Sequence, residues 1–126
     1  MMRKPFPLPE DEGETQKMAG RSTALNDRKV FTYEEAAALL PEAQRITAEA
    51  FAEVESLPES ESAIIESERI ITDWAGAIIE LGIEVKGLWL IDFDNGSGYY
   101  CWQHPEPSLQ YFHGYDEGFS GRVKLQ

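Results

Sequence analysis

From residue 32 onward the apolar residues recur at three- and four-residue steps through two long segments, after which the spacing tightens to two. Ala36, Leu39, Leu40, Ala43, Ile46, Ala50, Val54 and Leu57 line one side of a helix predicted over residues 32–57. Its start is written as a capping box. In Thr32-Tyr33-Glu34-Glu35 the threonine hydroxyl accepts from a first-turn N–H, while Glu35 reaches back to the cap. Phe31 precedes the cap, in place to staple onto Ala36. Pro41 lacks an N–H and crowds the preceding turn, so a kink or a restart is expected there. Ser56-Leu57-Pro58-Glu59 reads as a turn and a second helix start. Ile64, Ile71, Trp74, Ile78 and Leu81 form the next stripe, Ile65, Ile70 and Ile79 broaden it, and Gly82 is placed to end it as a left-handed cap.

Beyond Gly82 the alternating pattern predicts strands over 88–93, 99–102 and 109–113. Asp94-Asn95-Gly96-Ser97-Gly98 and His104-Pro105-Glu106-Pro107 are the turns between them. The predicted fold is α+β: an antiparallel helical hairpin (32–82) followed by a three-stranded antiparallel β-meander with a C-terminal turn (87–126). Residues 31–126 make one domain. Residues 1–30, with prolines at 5, 7 and 9 and a polar run after them, read as a loosely held N-terminal arm. The isoleucine stripe is wider than a two-helix seam requires, so self-association through the hairpin is expected, giving a homodimer.

Composition narrows the function. The 126 residues suit one domain with one modest core, and a net charge of −12 opposes nucleic acid and anionic lipid. Most of that charge, −10, falls on residues 31–86, where it is either a solvated face or a surface for a basic protein partner. Lacking a long apolar run, the chain is not expected to enter a membrane, and the basic start leads into prolines and acids rather than a signal-peptide core. A single cysteine, Cys101, fits a reducing, cytoplasmic setting.

Several segments resemble the signature of a bacterial family described as a domain of unknown function. Phe31-Thr32-Tyr33-Glu34-Glu35-Ala36 with Leu39-Leu40-Pro41 is similar to its opening FT-x-EEA-x-x-LLP. The helix end Leu81-Gly82-Ile83-Glu84-Val85-Lys86 and the pair Asp92-Phe93 match as well. Cys101-Trp102, Glu106-Pro107, Phe112-His113 and Gly118-Phe119-Ser120-Gly121-Arg122 are similar to its ending CW-x-x-GEP, WH and GFAGR. The chain departs from that signature in having Pro105 for glycine, Asp94 for proline and Phe112 for tryptophan. The resemblance supports the fold and marks a candidate site, and it implies no activity.

The candidate cluster is Cys101, Glu106, His113, Asp116 and Arg122. Pairing Cys101 with Tyr111 across strands would put Cys101 and His113 on one sheet face. With the His113-x-x-Asp116 spacing, such a set suits zinc or a similar divalent metal. The paired, closely spaced cysteines or histidines of a strong zinc sequence are lacking, so no cofactor is expected. Cys101 between Tyr100 and Trp102 reads as packed rather than nucleophilic. Asp92 to Gly96 has the wrong residues at the fifth, sixth and twelfth positions for a calcium loop and reads as a hairpin turn. Gly118 to Arg122 lacks the lysine and setting of a P-loop and reads as a tight turn, with Arg122 paired to Glu106 or Asp116. The expected function is a non-enzymatic structural or protein-interaction domain. The alternative is a small metal-binding or hydrolytic enzyme built on the Glu106, His113, Asp116 and Arg122 cluster.

Overall fold

Thr32 opens the first helix, α1 (Tyr33–Glu55), as a full capping box: Glu35 N–H donates to Thr32 Oγ1 at 3.1 Å, and Thr32 N–H donates to Glu35 Oε1 at 3.0 Å. The computed structural model describes residues 29–125; nearly all of the predicted arm, residues 1–28, lies outside them. α1 runs through Pro41 with neither break nor restart. The proline sits on the exposed side, where water can take the carbonyl that its missing N–H leaves over. Ser56 finishes α1, its N–H bonded to Ala52 O and Glu53 O, so the second helix begins later than predicted. Ser60 caps α2 (Glu61–Glu80) through Ala63 N–H, and Gly82, at φ +88°, takes the left-handed turn that ends the element.

Among the described residues the sheet has five strands, not three. In order they are β1 (Glu84–Gly87), β2 (Leu90–Asp94), β3 (Tyr99–Gln103), β4 (Tyr111–His113) and β5 (Val123–Lys124), each antiparallel to the next. The two additional strands are the edges. Each is too short to show a period of its own and exists because a longer neighbour offers it a ladder. Leu88 and Trp89, predicted as strand, instead make the β1–β2 turn, with Trp89 at φ +61°. At the other hairpin Asn95 N–H donates to Gly98 O at 2.9 Å. Gly98 lies so close to β4 that a Cβ there would stand 2.7 Å from His113 O and 2.6 Å from the Phe112 ring.

Both helices pack on one face of the sheet. Ile91, Phe93 and Trp102 of β2 and β3 share a single core with Ala36, Leu40 and Ala43 of α1 and Ile70, Trp74 and Ile78 of α2. Trp74 meets Trp89 edge-on at 4.9 Å, and its Nε1–H donates to the buried Thr47 Oγ1 at 2.8 Å, joining the helices. Of the α2 stripe, Ile70, Trp74 and Ile78 are buried in this core, and Ile71 and Leu81 pack against it. Ile64, Ile65 and Ile79 remain exposed. None of the described helices is long and apolar enough to cross a membrane.

Candidate functional site

Alternation along β2 sends Ile91 and Phe93 toward the helices and Asp92 and Asp94 to the opposite face. The ladder continues that polar row. Asp92 stands opposite Cys101 and Cys101 opposite Tyr111, while Asp94 stands opposite Tyr99 and Tyr99 opposite His113. The predicted Cys101–Tyr111 pairing holds, and Cys101 and His113 do share a face. This face is closed by the segment 114–122 returning from β4 to β5. Tyr115 Oη–H donates to Asp94 Oδ1 at 2.7 Å and its ring meets Tyr99 at 5.2 Å, while Arg122 reaches Cys101.

His113 is held at both nitrogens. Its Nδ1 lies 3.0 Å from Gly114 O, which can only accept, so Nδ1 carries a proton. Nε2 then points at Asp92 Oδ2, 2.9 Å away. Lys86 Nζ approaches the same oxygen at 3.7 Å and rests over the Tyr99 ring. Burial raises the Asp92 carboxyl above its usual range, against the pull of His113, Cys101 and Lys86. Its other oxygen, Oδ1, has no partner in hydrogen-bonding distance and angle among the described residues. Burial, and then the Asp92 charge, push the Cys101 thiol up to about 12, so in this state it is a protonated, inert sulfur.

Beside this group Arg122 grips Glu106 in a two-pronged pair, Nη1 to Oε1 at 3.1 Å and Nη2 to Oε2 at 2.8 Å. The guanidinium is sandwiched between the Tyr111 and Phe119 rings at 3.8 and 4.1 Å, with Nη1 also 3.9 Å from Cys101 Sγ. Glu106 is fixed by the turn that carries it: its Oε1 accepts from Gln103 N–H at 2.9 Å and its carbonyl accepts from Trp102 Nε1–H at 2.8 Å. The His104–Pro105 bond in that turn is cis.

Four of the five sequence-predicted residues, Cys101, Glu106, His113 and Arg122, therefore meet on the back of the sheet. Asp116 does not. It is exposed on the covering segment, and the acid that His113 contacts is Asp92. The sequence places Asp92 in the predicted strand 88–93 and Asp94 in the turn after it, and neither is among the predicted site residues. Their signal is two acids at i and i+2 inside an otherwise apolar strand, which forces both onto one face. Asp92, Cys101 and His113 can each offer one donor atom, and these atoms all lie within 4.8 Å of one another. Cys101, His113 and Asp92 are 1%, 4% and 1% exposed, so the group is interior rather than a cleft.

No curated protein and no solved structure matches this sequence. A family model does. Residues 53–125, which span α2, the whole sheet and every residue of the polar cluster, match the family described as an uncharacterized conserved protein, DUF2203, and the chain belongs to that family.

Proposed function

We propose that this is a non-enzymatic protein-interaction domain that pairs with a second copy through the tip of its helical hairpin. The observation that carries the reading is the contrast between a sealed polar cluster and an open apolar tip. Ile64 and Ile65, at the start of α2, are 61% and 72% exposed, beside a shallow groove lined by Val54, Leu57, Pro58 and Ala63. Large apolar side chains left in water next to such a groove are what an interface covers on association. A hydrolytic reading fits less well, because the Glu106 carboxylate is already bonded to Arg122, whose guanidinium is packed over the Tyr111 and Phe119 rings. The buried free thiol suits a reducing, cytoplasmic home.

A second reading, a basic protein partner at the same tip, is favoured by the exposed acids around it, Glu55, Glu59, Glu61 and Glu68. Sedimentation velocity distinguishes the two. A second copy gives a concentration-dependent dimer that salt strengthens by screening the like charges, and that Ile64→Glu with Ile65→Glu abolishes. A strict monomer at every concentration and salt rejects the second copy.

A further inference from the structure

Asp92 and His113 present a problem of protons. With Nδ1 already donating to Gly114 O, the lone pair of a neutral His113 Nε2 would face the lone pairs of Asp92 Oδ2 at 2.9 Å. Something positive must lie between them, and in the metal-free protein it is a proton. The Cys101 sulfur flanks the same point, and Asp92 Oδ1 is buried next to it. Three different donors thus converge on one interior spot, where Asp92 Oδ1 makes no hydrogen bond of good distance and angle among the described residues.

The geometry points to a site for a zinc-class divalent cation, held by Asp92, Cys101 and His113 beneath the C-terminal segment. The donor set of one sulfur, one nitrogen and one oxygen suits a borderline-soft ion and not magnesium or calcium, which take oxygen shells. Zinc bonds of about 2.0–2.3 Å place neighbouring ligand atoms some 3.3–3.7 Å apart, so donors within 4.8 Å need only side-chain adjustment. The surroundings are those of a ligand shell. The Nδ1–H to backbone carbonyl bond fixes the His113 tautomer with Nε2 free to coordinate. Arg122 Nη1 stands by the sulfur to support a thiolate. Lys86, which now balances the Asp92 charge, is partly exposed and has Glu84 at 3.4 Å to receive it. On binding, the cation replaces two protons, that of the thiol and that shared by Asp92 and His113, and both pass to solvent. With three protein ligands the fourth position of a tetrahedral ion falls to a water, and the ion ties β2, β3 and β4 together under their cover. This site is separate from the hairpin tip and stands whether or not the tip is an interface.

The test uses the full chain, stripped with chelator and titrated with cobalt(II) as a spectroscopic probe. The expected result is one equivalent bound, with the intense visible bands of a tetrahedral ion and a sulfur-to-cobalt charge-transfer band, both erased by equimolar zinc. Cys101→Ser removes the charge-transfer band, His113→Gln and Asp92→Asn weaken binding by about tenfold or more, and Asp116→Asn changes nothing. Should the ligand variants fail to fold, the wild type decides, since stoichiometric zinc must raise its Tm by mass action. A wild type with neither cobalt bands nor a zinc-induced rise in Tm overturns the site. So does a folded Cys101→Ser protein that keeps the charge-transfer band.

Discussion

The two faces of the sheet are buried to similar depth by opposite means. On the helix side Ile91, Phe93 and Trp102 vanish into a core shared with Trp74 and Ile78. On the other side Asp92, Asp94, Cys101 and His113 are as thoroughly covered, yet the cover is one irregular segment pinned by Tyr115 and Arg122. The helix face is stabilised by removing apolar area from water, which tolerates small shifts in position. The back face is stabilised only where each polar group meets its partner, because an unpaired one loses water and gains nothing. Such a face contributes less to stability and far more to the placement of particular atoms. That makes it the face where chemistry is to be looked for.

The largest expected effect tests the helix face. Trp102→Ala empties the centre of the core and removes the bond to Glu106 O, so a loss of about 3–5 kcal/mol is expected in urea unfolding. A loss under about 1 kcal/mol would mean that the core collapses around the gap and the two faces differ less than their packing indicates.

Arg122→Ala tests the back face. Glu106 loses both prongs of its pair and two rings lose their filling, but the pair is 12% and 20% exposed, so a cost of about 1–3 kcal/mol is expected. Arg122→Lys should recover only part of it, since an ammonium neither forks nor stacks as a guanidinium does. Wild-type stability in Arg122→Ala would show that the covering segment is held by other means.

Thr47→Val asks whether a lone polar bond inside the apolar face follows the same rule as the polar face. It leaves Trp74 Nε1–H buried without an acceptor, and about 1–2 kcal/mol should be lost. Least affected is Asp116→Asn, exposed on the cover, for which a change within about 0.5 kcal/mol is expected. A chemical probe sharpens the contrast further. The protonated, buried Cys101 thiol should react with a disulfide reagent no faster than the domain opens, and rapid reaction under native conditions would show that the cover lifts readily.

Much of this molecule is determined by the sequence alone. Thr32 and Glu35 specify a helix start by local bonds, Gly82 specifies a helix end by its own freedom at positive φ, and the step from 3.6-residue to two-residue periodicity separates hairpin from sheet. These are interactions within a few residues, so they are legible in the pattern. Four members of the polar cluster, Cys101, Glu106, His113 and Arg122, were legible too, through the segments that carry the family resemblance. Only the tertiary structure decided the rest. Whether Val123 and Lys124 form a strand depends on β4 being beside them, and whether the isoleucine stripe meets a sheet or a second chain depends on where β2 and β3 lie. The acid facing His113 is Asp92 and not Asp116 because register across β3 sets that distance, whereas three residues of chain do not. Register is fixed by the burial of a whole face at once, and that cooperative choice is written in no single segment.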